Sequence, residues 1–481
     1  MRDDNARSFF SECGSGRVTD LMTTARELEK QTHVRWFLVF WIFVLAVIAF
    51  LDRVNISIAG PSIAKSYGLS NVQLGTVFSA FLCGYAFFQT VGGRLADRFG
   101  PRRVLTAGVV WWGVFTALTA VVPGSTRLAL LWFVMVRFLL GAGEAVMFPA
   151  SNQFVSRWIP KHERGIANGL IFAGVGVGAG LSPPVISYLV NQYGWRSSFW
   201  VCSVIGLISG IVWYFTSRDS PREHPAVSAS ELALITSELT LETHAGGPSP
   251  QGSPGLVPWK RVLTSKDILA ITLSYFCFGY VAWIFFSWFY IYLAEVRGLN
   301  LKSSAFYAML PFLAMAVFCV VGGKLSDSIT QRRGLRMGRC VLASAAVLLA
   351  GVFVAFGALA ENARIASIIL AGGAGTLYLA QSSFWSVTAD LAGRSSGSVS
   401  GFMNMGAQIG GAVTAQVTPL IAKHFGWTAS FLVAAGLCVV GSVAWLFVNP
   451  QRTLNAEIRE SGSAGNRAGI LASKARNRKS T

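Results

Sequence analysis

Charged residues are scarce in this sequence of 481 residues: only 13% are Asp, Glu, Lys or Arg, whereas 53% are hydrophobic. A soluble domain carries about a quarter charged residues, so this chain has too few to cover a water-facing surface. Histidine is rare, and all five histidines lie in polar stretches, which argues against a buried imidazole relay. Six of the seven cysteines fall inside apolar runs without CxxC spacing, so neither a disulfide framework nor a metal site is predicted.

Most of the sequence consists of long apolar segments. They repeatedly reach about 20 residues, the length that crosses a hydrocarbon core of ~30 Å at ~1.5 Å rise per residue. The sequence therefore predicts an all-α integral membrane protein with twelve transmembrane helices. The predicted spans are 36–58, 72–92, 103–122, 128–149, 165–190, 197–217, 268–294, 303–323, 339–360, 365–388, 398–422 and 427–448.

Lysine and arginine are concentrated in the loops on one side of these spans, and both ends of the chain are basic and share that side. Because cytoplasmic loops carry the excess of Lys and Arg, we expect both termini in the cytoplasm and the spans in the plasma (inner) membrane. A net charge of +18 also fits nucleic-acid binding. The charges are scattered between spans, however, so the predicted partner is the lipid bilayer and no nucleic acid.

The chain repeats itself at an almost constant offset. Gly-Gly-Arg-Leu-Ala-Asp at 92–97 follows the second span, and Gly-Gly-Lys-Leu-Ser-Asp at 322–327 follows the eighth span, 230 residues later. Similarly, Gly-Trp-Arg-Ser-Ser-Phe at 194–199 matches Gly-Trp-Thr-Ala-Ser-Phe at 426–431. Six spans per half preserve direction, so the repeats are parallel. The predicted organisation is an N-terminal tail (1–35), a six-helix bundle (36–217), a cytoplasmic linker (218–267), a second bundle (268–448) and a basic tail (449–481).

The run from Gly93 to Arg103, Gly-Arg-Leu-Ala-Asp-Arg-Phe-Gly-Pro-Arg-Arg, resembles the loop signature between the second and third spans of the major facilitator superfamily. The resemblance implies two pseudo-symmetric bundles that rock about a central cavity, which opens to each side in turn. It also implies a cytoplasmic gate in which Asp97 meets nearby arginines and a helix end, without touching substrate. The gate residues implied in this way are Gly93, Asp97, Arg98, Arg102 and Asp327.

Four charged residues fall inside the predicted spans: Asp52 and Arg53 in the first, and Arg137 and Glu144 in the fourth. A charge at bilayer depth costs ~2.5–3.5 kcal/mol, and these four sum to zero. Arg137 and Glu144 are seven residues apart and therefore share a helix face. Two interpretations stay open: a buried ion-pair cluster that ties the first helix to the fourth, or a site in which arginine binds an anion and the acids carry protons.

The run Asp52-Arg53-Val54-Asn55, together with 137–144 and Pro149, resembles the anion:cation symporter family within that superfamily. This family includes bacterial galactonate, glucarate and hexuronate transporters and vesicular glutamate and sialic acid carriers. The resemblance implies that Asp52 and Glu144 couple protons, that Arg53 binds the substrate carboxylate and that Arg137 is coupled to the acids. It further implies substrate contacts by Tyr85, Ser382, Trp385 and Asn404.

The C-terminal half adds neutral polar and aromatic candidates. Gln381 in the tenth span, and Tyr280 and Trp283 in the seventh, are predicted to contact substrate; interhelical hydrogen bonding and packing are the alternatives. No nucleophile, metal site or phosphate-binding loop is found, so an enzyme is not predicted.

The sequence thus predicts a monomeric, cofactor-free symporter, driven by the proton gradient, that imports an organic anion such as galactonate, glucarate or a hexuronate. Alternatives are a transporter of an aromatic or dicarboxylic acid, an anion exporter, and a carboxylate sensor that does not transport.

Overall fold

The computed structural model describes residues 31–122, 126–244, 256–289, 292–297, 301–452 and 454. Most of the predicted N-terminal tail and of the basic tail, and the centre of the linker, lie outside these residues. Sixteen α-helices lie within them, and they are numbered here in chain order. They are α1 (Val34–Tyr67), α2 (Asn71–Phe99), α3 (Pro101–Ala120), α4 (Thr126–Glu144), α5 (Met147–Trp158), α6 (Arg164–Tyr193), α7 (Trp195–Thr216), α8 (Ala229–His244), α9 (Trp259–Thr264), α10 (Lys266–Ser287), α11 (Leu301–Arg333), α12 (Leu342–Leu359), α13 (Ala363–Leu379), α14 (Gln381–Ala392), α15 (Ser396–Phe425) and α16 (Trp427–Leu446).

The chain crosses the membrane twelve times, as predicted. Eleven stretches of the described residues are long and apolar enough to cross, and the longest, Ala363–Phe425, has 63 residues. One crossing needs about 20 residues, so this stretch is long enough for two. It comprises α13, α14 and α15, and the chain turns between α14 and α15 at Gly393, whose φ of +49° favours glycine.

Several helices run further than the apolar stretches that predict them. The fourth span, predicted to end at 149, is interrupted after Glu144 and continues as α5 to Trp158. Polar residues do not end this helix because α5 is buried: Asn152 and Gln153, for example, bond to residues of the C-terminal half. In the seventh span, predicted over 268–294, α10 ends at Ser287 and a short π-helix follows at Tyr292–Val296.

The linker begins against the N-terminal half. Within the linker, Ala229–His244 form α8. Its buried Glu231 accepts hydrogen bonds from the backbone N–H groups of Val34 and Arg35 at the start of α1, and pairs with the Arg35 guanidinium at 3.0 Å. Arg35 also pairs with Glu163 at 2.9 Å, just before α6. One arginine therefore joins the linker to the beginnings of two membrane helices.

The two halves meet along α2 with α15 and along α6 with α11. Glycines allow this close approach at one end: a Cβ on Gly93 would collide with the Gly397 carbonyl, and a Cβ on Gly323 would collide with the Gly165 carbonyl. We call this end the arginine-rich face; it comprises the turns at 99–101, 158–164, 333–336 and 392–396.

Candidate functional site

A cavity of about 450 Å³ lies between the two halves, and both halves line it. Its wall is rich in aromatic rings and holds few polar groups. The polar and phenolic side chains on it are Arg53, Ser57, Tyr85, Arg137, Tyr275, Ser287, Tyr378, Gln381, Asn404 and Gln408.

An ion pair between the first and fourth spans stands at this wall. Arg53 of α1 donates from Nε (3.2 Å) and Nη2 (2.5 Å) to the same oxygen, Oε1, of Glu144 at the end of α4. Arg53 lines the cavity, whereas Glu144 lies behind it and is 1% exposed. Oε2 of Glu144 has no hydrogen-bond partner in the described part of the chain. The pair is thus asymmetric: the arginine faces the cavity and the acid can be reached only past it.

Aromatic rings surround the Arg53 guanidinium. Its central carbon lies 4.5 Å from the ring centre of Phe50, 4.4 Å from that of Tyr85 and 5.2 Å from that of Phe81. Ring faces attract a cation and exclude water from it. They therefore fix the guanidinium at the wall of the cavity without occupying its hydrogen-bond donors.

Asp52 and Arg137 are buried beside this pair. Among the described residues, neither carboxylate oxygen of Asp52 and neither Nε nor Nη1 of Arg137 has a hydrogen-bond partner. The charged groups acting on Asp52 are Glu144 and Arg137, and Arg137 lies 4.7 Å above the Phe81 ring. Buried charges without hydrogen bonds are costly, so such a cluster is a candidate functional site. No group of three or more His, Cys, Asp or Glu in the described ranges is placed to hold a metal ion.

The C-terminal wall is neutral and internally hydrogen-bonded. Tyr275 of α10 accepts hydrogen bonds from Gln381 Nε2 (2.8 Å) and Trp385 Nε1 (3.0 Å). Asn404 of α15 donates to Gln89 Oε1 of α2 at 3.0 Å, a bond between the two halves. Trp283 also lines the cavity.

Three of the residues predicted to contact substrate do not line the cavity. Ser382 points about 100° away from its neighbour Gln381, which lines the cavity. It is buried, and its hydroxyl has no hydrogen-bond partner in the described chain. Trp385 lies behind Tyr275 and packs against Phe172, with ring centres 4.8 Å apart. Tyr280 is turned away from Gly279, which does line the cavity. The prediction of direct contact by these three side chains finds no support in this geometry.

Tyr275 and Gln408 are among the cavity residues that were not predicted from the sequence. Tyr275 is one of many aromatics in the seventh span, but it lies four residues before Gly279 and eight before Trp283, and all three line the cavity. Gln408 follows Asn404 by four residues on α15. In both cases helical spacing from a selected residue was the available signal.

The arginine-rich face is closed by two equivalent helix caps. Asp97 at the end of α2 accepts bonds from the N–H groups of Gly397 and Ser398 at 2.8 Å each, at the start of α15. Asp327 in α11 accepts from Gly165 and Ile166 at 2.9 and 2.6 Å, at the start of α6. Each acid belongs to one half and caps a helix of the other, where the helix dipole favours negative charge.

The helix-end contact that the resemblance implies for Asp97 is present, whereas among the described residues Arg98 and Arg102 do not contact it. Arg98 is exposed and lies 5.3 Å from the Phe99 ring, and Arg102 donates to the Tyr214 carbonyl within its own half. In the described structure, neither arginine bonds to Asp97, because the helix N-terminus already supplies donors for both carboxylate oxygens. The repeat differs here, since Asp327 pairs with Arg339 at 2.8 Å.

A further ion pair between the halves was not predicted. Arg164 at the start of α6 donates to Asp390 of α14 at 2.6 Å, and both side chains are buried. Arg164 was read only as an orientation signal, because its partner lies 226 residues away in the sequence.

Known proteins resemble this chain over most of its length. The model of the Major Facilitator Superfamily matches residues 42–415 and 386–479. The chain is 35% identical over 417 residues to a probable sulfoacetate transporter of Cupriavidus necator, covering 86% of this chain and 94% of that protein. It is 29% identical over 419 residues to the hexuronate transporter of Bacillus subtilis, covering 86% and 94%.

The fold is shared with a solved structure. A proton:xylose symporter bound to 6-bromo-6-deoxy-D-glucose superposes with a TM-score of 0.67 at 16% identity, covering 87% of this chain and 98% of that one. The relatives are transporters, which confirms the prediction that this protein is not an enzyme. The chain belongs to the Major Facilitator Superfamily and, within it, to the organic-anion transporters whose motifs it carries.

Proposed function

We propose that this protein is a proton-coupled symporter that imports an organic anion by alternating access, with a sugar acid such as galactonate, glucarate or a hexuronate as substrate. The proposal includes a monomer in the plasma (inner) membrane, with the arginine-rich face and both termini in the cytoplasm. The observation that carries it is the asymmetric Arg53–Glu144 pair, which presents an arginine to the cavity and holds a carboxylate behind it.

Proton and anion binding are linked through this pair. An ionised Glu144 satisfies two Arg53 donors, so an incoming carboxylate competes with it for the guanidinium. Protonation of Glu144 removes that competitor and leaves a net positive site, at which arginine binds a carboxylate through two parallel hydrogen bonds. The anion and the proton therefore bind together and leave together.

Asp52 and Arg137 provide a second protonation step. Asp52 is buried, and its neutral polar neighbours in the described chain are the Cys202 thiol and the Thr116 hydroxyl. It lies in the fields of Glu144 and Arg137. Its proton uptake would follow that of Glu144, and Arg137 would balance the remaining charge. Moving one net charge across the membrane is worth ~2.3 kcal/mol per 100 mV, so more than one proton per monovalent anion lets the membrane potential drive accumulation.

The substrate class rests on chemistry shared by the relatives. Sulfoacetate and hexuronate both carry a carboxylate, and those relatives are named for these two anions. Amides and a phenol on the opposite wall suit hydroxyl groups. The many aromatic rings of the cavity favour a second candidate, an aromatic carboxylate, which would stack on them.

The test is uptake into proteoliposomes with an inward proton gradient, comparing the native protein with Asp52→Asn. We expect the variant to lose uphill accumulation while keeping part of its counterflow exchange. Asp267→Asn is the matched control, because Asp267 is also a buried acid but bonds to the Asn449 N–H away from the cavity. A variant at position 52 that still concentrates the anion would refute the role of Asp52.

The same assay separates the alternatives. A panel of sugar, aromatic and dicarboxylic acids as competitors identifies the substrate class. Accumulation only when the gradient is directed outward would identify an exporter. Saturable binding of a carboxylate without flux in either direction would identify a sensor.

A further inference from the structure

We infer that Tyr275 and Gln381 form a subsite that reads a hydroxyl group on the transported anion. The inference rests on the proposed function, because it concerns the same cavity and the same substrate. It assigns a role to Tyr275, which neither the motifs nor the charge pattern of the chain single out.

Tyr275 is already saturated as an acceptor. Its phenolic oxygen receives Nε2–H of Gln381 at 2.8 Å and Nε1–H of Trp385 at 3.0 Å. A phenol has two acceptor positions and one donor proton. With both acceptor positions filled, the group Tyr275 offers is its O–H proton. Because Tyr275 lines the cavity, we infer that this proton is offered to a ligand there.

Gln381 supplies a hydrogen-bond acceptor beside this donor. One of its amide protons is used on Tyr275, whereas its carbonyl oxygen Oε1 has no partner among the described residues. Gln381 is 3% exposed and also lines the cavity. A buried acceptor left without a donor costs free energy, and a ligand that donates to it recovers that cost.

One donor beside one acceptor selects the chemistry of the ligand. A carboxylate accepts but cannot donate to Gln381, and an ammonium donates but cannot accept from Tyr275. A hydroxyl group does both within one atom. The wall opposite Arg53 therefore favours anions that carry a hydroxyl over analogues that lack it.

Packing holds the donor in place. The Tyr275 ring lies 4.6 Å from that of Phe384 and 5.1 Å from that of Phe278, measured between centres. Trp385 fixes the phenol by hydrogen bonding but does not line the cavity, so it is a positioning residue. Its predicted contact with substrate is thereby replaced by an indirect role.

The subsite and the arginine face one cavity. Tyr85, whose ring lies 4.4 Å from the Arg53 guanidinium, lines this cavity together with Tyr275. A substrate bound by its carboxylate to Arg53 therefore extends past Tyr85 towards Tyr275.

The experiment measures binding of D-galactonate and its 2-, 3- and 4-deoxy analogues to the purified full-length protein by titration calorimetry. We expect at least one deoxy analogue to bind the native protein about tenfold more weakly, the value of one hydrogen bond together with an unsatisfied buried partner. Tyr275→Phe keeps the ring and removes the hydroxyl, so it should weaken D-galactonate about tenfold and bind that analogue as it binds the parent. Gln381→Leu should give the same loss of discrimination.

Tyr292→Phe is the matched control, because Tyr292 is a buried tyrosine whose hydroxyl accepts from Arg297 Nε at 2.6 Å and does not line the cavity. It should retain the native discrimination. If Tyr275→Phe weakens the parent and every analogue equally, the residue is merely structural and the subsite is refuted.

Two outcomes separate this inference from the proposed function. A native protein that binds D-galactonate and all its deoxy analogues alike refutes the subsite and leaves anion symport standing. A native protein that binds neither D-galactonate nor D-glucuronate, but does bind benzoate, refutes the sugar-acid substrate and the subsite together.

Discussion

The two walls of the cavity come from halves of one repeated fold, yet they differ in the kind of polarity they carry. The N-terminal wall presents Arg53 and Arg137, with Glu144 behind, whereas the lining residues of the C-terminal wall are uncharged. At the arginine-rich face the halves have stayed equivalent, since Asp97 and Asp327 cap corresponding helices. The two halves thus keep equivalent contacts where they meet at the arginine-rich face. They differ in the residues that line the cavity, where the proposed substrate binds.

Both walls contain buried polar atoms without partners in the described chain, but the consequences differ. On the N-terminal side these atoms belong to ions, including Asp52 and Arg137, whose state depends on protons. On the C-terminal side they belong to neutral groups such as Gln381, whose state does not. Substitutions on the N-terminal wall should therefore change proton coupling and affinity together, and those on the C-terminal wall should change affinity or selectivity without changing proton coupling.

The largest effect should come from removing the positive charge of Arg53 on the N-terminal wall. Arg53→Met should lower uptake at least about 100-fold, because a buried ion pair that loses one partner costs about 3–5 kcal/mol and the anion loses its ligand. Arg53→Lys should recover little, since lysine cannot form the two parallel bonds. Initial uptake rates in proteoliposomes measure both. Substantial uptake by Arg53→Met would move the anion site elsewhere in the cavity.

The pH dependence of anion affinity should arise from the charged residues of the N-terminal wall. As external pH falls, Glu144 is protonated and Arg53 is released, so anion affinity of the native protein should rise, by up to about tenfold per pH unit for one linked proton. Glu144→Gln should show a clearly smaller dependence of affinity on pH, because its side chain never competes as an anion and only the second protonation step, at Asp52, is left. The exposed Glu223 serves as control through Glu223→Gln. An unchanged pH slope in Glu144→Gln would assign the proton to another group.

The neutral wall should show a smaller effect. Asn404→Ala removes the 3.0 Å bond to Gln89 between the halves and should reduce affinity about threefold to tenfold, the worth of one neutral hydrogen bond. The pH dependence of uptake should be unaltered, which sharpens the contrast with Glu144. Measuring affinity across pH for this variant checks both statements, and a shifted pH profile would contradict the division between walls.

The smallest effect should come from Ser382. Its hydroxyl is buried, has no partner in the described chain and does not line the cavity, so Ser382→Ala should change affinity by less than about twofold. Competition binding against the native protein measures this. A tenfold loss would show that this hydroxyl reaches the substrate in another conformation of the transporter.

The sequence alone predicted the features of the fold that depend on contact with the lipid bilayer. Twelve crossings, the repeat at 92–97 and 322–327, and the four intramembrane charges follow from the cost of placing polar groups in a bilayer. The family resemblance then located Arg53 and Tyr85, both of which the structure places on the cavity wall.

The sequence could not predict which side of a helix faces the cavity. Gln381 and Ser382 are neighbours in the chain, but only the geometry at the break between α13 and α14 decides which of them faces the cavity. Asp97 was expected to pair with the arginines beside it in the sequence. It was also expected to meet a helix end, and its partners are N–H groups at a helix start. That this helix lies 300 residues further on is something no residue type indicates.

The paired helix caps have a consequence for the resting transporter. Each cap joins an acid of one half to a helix end of the other, so separating the halves at this face exposes both helix ends and both acids at once. In the proposed alternating-access cycle, both caps would therefore have to break together before this face could open. An empty carrier would then have no intermediate opening through which ions could leak.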